Sequence, residues 1–349
     1  MKRVVFAVPG SLDTPTGGYA YDKRIMAELR HLGWEVDYLN IGDGFPAPDA
    51  ATRAAARSLL GALPEGRPIV LDGLALGVLP DVAAELASRH PLVALVHHPL
   101  ALESGLAAER AASLRRSEQA ALAEAREVVV TSPATAKLVA SDYCVPAARI
   151  TVARPGNDPV SLSAREPNDI PHLLSVGSVV PRKGFDILVS ALAVLADMPW
   201  RLTIVGDLTR DRSEAAKIRY LISQHRLAGR IETMGAIPSA QLAVLYAKAD
   251  LFVLASRFEG YGMAYAEALC HGLPVIGTMA GAIPDTIPQG TGLLVSPNDP
   301  AALAAALRGI IADAEQRRSL SEAALAAART LPTWRESAAI FAATLDKLA

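Results

Sequence analysis

Two glutamates eight residues apart, Glu259 and Glu267, bracket a glycine loop in "SRFEGYGMAYAEALCHGLPVIG", residues 256–277. The strand-like run "LFVLASR" ends just before Glu259. Gly260, Tyr261, Gly262 and Met263 therefore bring backbone amides to the start of a helix, where unbonded N–H groups favour an anion. Glu267 falls one turn into that helix. A carboxylate accepts two hydrogen bonds from a vicinal diol but repels a phosphate set beside it. Alone, Glu267 would read as a solvated helix glutamate. Together the residues ask for a ligand with phosphates at its centre and hydroxyls at both ends, which describes a nucleotide sugar.

Three further loops carry chemistry. In "VGSVVPRKGFD", 176–186, Arg182 and Lys183 precede Gly184 at a helix start. Cations are uncommon there because the helix dipole is already positive, so the pair wants a polyanion such as a diphosphate; the alternative is a solvated basic turn. In "PGSLDTPTGGYAYD", 9–22, Gly17 and Gly18 allow close backbone approach at another helix start, or simply make a tight turn. No G-x-G-x-x-G follows the first strand, so Asp37 at the end of the second is a weak case for a nicotinamide cofactor. "LVALVHHPLALESG", 92–105, ends a strand in His97 and His98. Adjacent strand residues point oppositely, so one of the two faces the ligand and the other is structural. Glu103 is a weaker acceptor contact. No D-x-D pair occurs, so basic side chains and amides, and no metal, are expected to hold the diphosphate.

The elements that must position these loops alternate regularly. Six short Val/Ile/Leu-rich runs from "RVVFAVPG" to "RITVARPG" are interleaved with Ala-rich amphipathic stretches, and six more run from "HLLSVGSVV" to "TGLLVS". That pattern predicts an α/β protein of two doubly wound parallel sheets in tandem, with ligand loops beyond the strand ends and a cleft between the domains. At 349 residues the chain exceeds one ordinary core. The segment 157–171, "NDPVSLSAREPNDIP", is polar, has three prolines and no periodicity; it is the expected linker between a first domain 1–156 and a second 172–333. The closing run "PTWRESAAIFAATLDKL" reads as a helix.

A formal net charge of −2 gives no global field toward nucleic acid. Cys144 and Cys270 lie far apart, which argues against a disulfide framework or zinc site and fits a reducing cytoplasm. The N-terminal apolar run is cut short by Pro9 and Gly10, and no run is long enough to span a membrane. Arg53 and Arg57 beside Leu59 and Leu60 leave at most a peripheral contact with the inner face of a membrane, a solvated helix being the plainer reading.

"FEGYGMAYAEALCHGLPVIGT" resembles the E-x7-E signature of retaining glycosyltransferases of family 4, which have the GT-B fold. "GG" after the first strand, "VGSVVPRKG", "GD" after "LTIV" and "GLLVSPNDP" agree along nearly the whole chain. The resemblance implies two Rossmann-like domains facing across a cleft, the C-terminal helix 334–349 packing back on the first, acceptor-side domain. Glu259 would contact the transferred sugar and Glu267 the ribose diol. Gly260, Tyr261, Gly262 and Met263 would contact sugar and phosphate, and Arg182 and Lys183 would neutralise the diphosphate. Met234 and Gly235 would lie near the base, Gly17 and Gly18 would face the diphosphate, and His97 would orient the acceptor. One position departs from the pattern: Ser178 stands where many relatives carry arginine, and Arg182 is the residue that would supply the cation.

The expected reaction is metal-independent transfer from a UDP- or GDP-type sugar to an acceptor hydroxyl with retention, without a separate cofactor. Front-face attack is expected, in which Glu259 and His97 orient rather than react. A sugar-nucleotide epimerase of the same fold and an inactive nucleotide-sugar-binding partner protein are the rivals. The acceptor, a lipid-linked sugar, a glycan or a small metabolite, is not specified by these residues.

Overall fold

The computed structural model describes residues 2–160 and 169–348. The chain divides into two compact units, Met1–Gly156 with Pro332–Ala349, and Asn157–Leu331. Of the expected linker, residues 161–168 lie outside the described residues.

In the first unit β1 (Arg3–Val8), β2 (Glu35–Asn40), β3 (Ile69–Asp72), β4 (Leu92–Val96), β5 (Glu127–Val130) and β6 (Ile150–Val152) form one parallel sheet in the order β2-β1-β3-β4-β5-β6. Burial follows position. All residues of the interior strands β3 and β4 are buried, while the edge strand β2 buries only Val36 and β6 is half-covered throughout. Helices on both faces remove water from both sides of a parallel sheet, so its interior strands read as unbroken apolar runs.

In the second unit β7 (His172–Val176), β8 (Arg201–Val205), β9 (Ile231–Met234), β10 (Leu251–Val253), β11 (Val275–Thr278) and β12 (Gly292–Val295) run parallel in the order β12-β11-β10-β7-β8-β9. Each sheet reverses its winding once, between β1 and β3 in the first and between β7 and β10 in the second. At such a point the loops leave in opposite directions and open a crevice beyond the carboxyl ends of the strands. Leu251 pairs with Leu173 and Phe252 with Leu174. That register delivers the loop after β7 and the loop after β10 to the same place although 76 or more residues separate their side chains.

The last helix, Trp334–Asp346, belongs to the first unit. Thr333 and Glu336 form a capping box at its start. Phe341 is fully buried against Phe6 of β1, ring centroids 5.5 Å apart, and Trp334 meets Tyr21 edge-on at 6.0 Å.

The helix Ala50–Gly61 holds the arginines read as a candidate membrane contact. Arg57 pairs with Glu85, Arg53 donates to the Val78 carbonyl at 2.7 Å and to Asp81 at 3.3 Å, and Leu60 is buried. Leu59 is exposed. Both arginines are thus engaged by the neighbouring helix Pro80–Ala87 and its approach. Among the described residues no helix is long and apolar enough to cross a membrane.

Candidate functional site

The crevice of the second unit is organised around one carboxylate. Glu259 is 5% exposed and accepts three charge-assisted or hydroxyl bonds: from Lys183 Nζ at 2.7 Å, from Arg182 Nη1 at 3.1 Å, and from Ser256 Oγ at 2.6 Å. Burial alone would raise its carboxyl pKa; the Lys183 and Arg182 charges overcome that and hold it at about 2. Arg182 also donates to the Phe258 carbonyl at 2.8 Å. With one carboxylate between them, the two cations leave the cluster a net charge of +1.

Two devices keep the loops in register. Arg257 grips Asp186, in the first turn of the helix Phe185–Ala193, through two bonds of 3.0 and 2.9 Å, and its backbone N–H bonds the Arg182 carbonyl at 2.7 Å. The fork geometry of a bidentate guanidinium fixes direction as well as distance. Gly184, at φ +66°, lets the chain after Lys183 turn where a Cβ would run into the Ala255 carbonyl. The aliphatic stem of Lys183 lies across Gly177, where a Cβ would come 3.1 Å from its Cε.

Beyond Glu259 the loop folds into the helix Met263–Cys270, capped by Gly262 at φ +94° without a side-chain cap bond. A Cβ on Gly262 would stand 2.7 Å from the Tyr265 ring. The Gly262 carbonyl accepts from Tyr265 N–H at 3.0 Å and Ala266 N–H at 3.4 Å, and the amides before them stand at a helix start, where the dipole favours an anion. Gly260, Tyr261 and Gly262 are buried and Met263 is half-buried. Glu267 is half-buried on this helix and accepts from the Tyr246 hydroxyl at 3.0 Å; burial raises its pKa. Tyr246 stacks on His271 with centroids 5.0 Å apart. Met234 and Gly235 lie at the end of the edge strand β9, and Gly235 accepts from Gly206 N–H at 3.3 Å. Among the described residues no bond links them to the Glu259 cluster. Ser178 accepts the Val180 N–H through its carbonyl at 2.9 Å, and Arg182 is the cation that reaches the carboxylate.

In the first unit Gly17 and Gly18 open the helix Gly17–His31, capped by Thr16, whose hydroxyl accepts from Tyr19 N–H at 3.2 Å. A Cβ on Gly18 would lie 3.2 Å from His97 Cδ2. His97 turns Nε2 toward two buried carboxylates, Asp22 Oδ1 at 3.1 Å and Asp72 Oδ2 at 3.4 Å. Its ring meets Tyr21 edge-on at 5.4 Å, and its carbonyl accepts from Thr131 Oγ1 at 3.1 Å. Burial would push the imidazole toward its neutral form; Asp22 and Asp72 reverse that and carry its pKa up to about 10. His98 turns the other way, to Glu103 at 3.5 Å.

Asp22 and Asp72 were not among the residues the motifs single out. The signal was modest but present. Asp22 follows Gly18 by four, on the same helix face, and Asp72 closes β3 in "VLDG" as His97 follows β4. Asp72 also caps the short helix Gly73–Leu76 through Leu74 N–H at 2.8 Å, the role a strand-end aspartate ordinarily suggests.

Two parallel doubly wound units in tandem, with cations, a carboxylate and a glycine-opened helix at the switch point of the second, constitute a GT-B architecture. Residues 162–326 match the family model described as "Glycosyl transferases group 1". A D-inositol 3-phosphate glycosyltransferase of Corynebacterium glutamicum is 32% identical over 203 residues, 56% of this chain and 48% of that protein. An MMP alpha-(1->4)-mannosyltransferase of Mycolicibacterium hassiacum is 26% identical over 319 residues, 87% and 76% of the two chains. The chain thus spans about half the length of the first relative and about three quarters of the second. Among solved structures, sucrose-phosphate synthase from Thermosynechococcus elongatus superposes with a TM-score of 0.83 at 23% identity, covering 99% of this chain and 98% of that one. Anabaena HepE in complex with UDP and glucose gives 0.77 at 20%, covering 99% and 100%.

Proposed function

We propose that the protein is a retaining glycosyltransferase that takes a sugar from a nucleoside diphosphate sugar, of UDP or GDP type, to an acceptor hydroxyl without a metal ion. The observation that carries this reading is the cluster at the second switch point, where Lys183 and Arg182 flank Glu259 beside a helix start that has a glycine and no side-chain cap. In it the diphosphate lies against the two cations and the amides of 260–263, and Glu267 takes the ribose diol. Met234 and Gly235 lie toward the base. Glu259 keeps lone pairs on Oε2 for a hydroxyl of the sugar, since Arg182 uses only one of its acceptor sites.

The leaving diphosphate gains negative charge as the glycosidic bond breaks, and a site with net positive charge stabilises that change. A carboxylate held at about pKa 2 by two cations and a hydroxyl is a poor nucleophile and a poor base, which supports front-face attack over a covalent intermediate at Glu259. The acceptor proton then leaves on the departing phosphate oxygen. His97 and Gly18, on the first unit, orient the acceptor. The names of the relatives make polyol phosphates and sugars the first acceptors to assay, and a cytoplasmic reaction is part of the same reading.

A melting-temperature panel with UDP, GDP, ADP and their sugar conjugates, in chelator and in magnesium, tests the donor site. A ligand at about 100 times its Kd adds roughly 2.7 kcal/mol of stability. One nucleotide series raising Tm equally in chelator and magnesium is the expected result. No shift with any of them, or turnover that needs the metal, would overturn the reading.

A further inference from the structure

The first unit contains a second charged cluster, and nothing in the donor site requires it. Asp22 and Asp72 are 0% and 1% exposed, from different elements, and both face one ring nitrogen of His97. Nδ1, on the far side of the ring, has no hydrogen-bond partner among the described residues, and the side chain keeps 19% of its surface exposed. The ring is backed by two carboxylates and open on its other edge. It also packs against Gly18 in the first turn of a helix, whose positive dipole end disfavours a cation, so one carboxylate would be a thin counterweight and two are present.

We propose that Asp22 and Asp72 are positioning residues that lock His97 with Nε2 inward and keep its ring an imidazolium, so that Nδ1–H is presented as a fixed hydrogen-bond donor to the acceptor. This deepens the reading above and rests on it for its purpose. A neutral imidazole with Nε2–H bonded to carboxylate would offer Nδ1 as an acceptor. The imidazolium offers only donors, and so selects a lone pair, on a hydroxyl or a phosphate oxygen of the acceptor, in place of a proton. Proton abstraction by His97 is thereby excluded, in keeping with departure of the acceptor proton on the phosphate. The ionisable groups that the structure sets around the ring are Asp22 from the helix Gly17–His31, Asp72 from the end of β3, and the Tyr21 phenol, itself bonded to the Ala153 carbonyl at 2.9 Å.

The test is a ring-nitrogen NMR titration of histidine-labelled full chain, with His97 assigned by its loss in His97→Ala. Wild type is expected to hold the His97 imidazolium through pH 8, at least one pH unit beyond ordinary histidine. The isosteric Asp22→Asn and Asp72→Asn should each lower its midpoint, and the double substitution should return it to the usual range or below. In transfer assays Asp22→Asn should raise the acceptor KM at pH 8 several-fold, with a smaller change at pH 6, where the ring is charged again. A wild-type midpoint near 6.5 overturns the proposal without any variant, and so covers the case in which the variants do not fold. Selective broadening of the His97 signals by equimolar Mn²⁺ would also overturn it, because the three side chains, with ligand atoms within 4.8 Å of one another, would then be holding a cation. If the titration behaves as expected but His97→Ala transfers at the wild-type rate, the positioning role fails while the donor-site reading, tested by nucleotide binding, stands.

Discussion

Glu259 couples the charge state of its cluster with Lys183 and Arg182 to the stability of the second unit. Its folded pKa of about 2 lies below the ordinary 4.5, so its contribution is fully present above about pH 5 and is lost as pH falls through 4.5 toward 2. A shift of that size corresponds to on the order of 3 kcal/mol. Glu259→Gln should therefore lower stability most at neutral pH, with the difference from wild type shrinking in urea unfolding at pH 3; an equal difference at both would refute the pairing. In turnover, Glu259→Ala should depress kcat, whereas Glu267→Ala should raise donor KM about tenfold to a hundredfold with less effect on kcat, the loss of one charge-assisted hydrogen bond. The types and spacing of Glu259, Glu267, Arg182 and Lys183 could be read from the sequence because glycine loops, adjacent cations and a helix start are local features. That both cations rest on Glu259 could not, since it depends on which strands lie side by side. Asp22 and Asp72 escaped for a related reason: each looks like an ordinary helix or cap aspartate until β1, β3 and β4 are placed in order.

The strands themselves were legible element by element. Each of the twelve runs forms a parallel strand, and the interior ones read as unbroken apolar stretches because a strand covered on both faces does not alternate. Boundaries follow the caps: the first helix begins at the glycine pair, at Gly17, because Thr16 caps it. Strand order was invisible, as no local residue encodes that β10 returns to β7. The loop after β7 makes a measurable case of the packing that results. Gly184→Ala would force a side chain into left-handed backbone against the Ala255 carbonyl, whereas Gly33→Ala, at φ +86° with nothing within 4 Å, carries the backbone cost alone. The left-handed cost is about 1 to 2 kcal/mol. Gly33→Ala should thus lower Tm by a few degrees, and Gly184→Ala by clearly more and with loss of nucleotide binding. Similar Tm values for the two would show that the β7 and β10 loops are not held in the described contact.

At the scale of the whole chain, the two units are separately cored but unequally continuous. The second is a single run, Asn157–Leu331, while the first needs residues from both ends. Ala338, Phe341 and Leu345 of the last helix are all 0% exposed, and Ser337 bonds the Arg154 carbonyl. Removing residues 332–349 should therefore raise hydrogen exchange in β1 and the helix Gly17–His31 while leaving β7 to β12 protected. Uniform loss of protection, or none, would contradict that division. The same arrangement orders events on the ribosome. Domains mature as they emerge, N-terminal segments first, at about 5 to 20 residues per second. Here the N-terminal unit is translated first yet cannot close until its final helix is made, some 175 residues later, after the whole of the second unit has appeared. The second unit is the first that can finish, and β1 must wait with Phe6, fully buried in the finished fold, still uncovered, so the nascent chain carries an open apolar face for most of its synthesis.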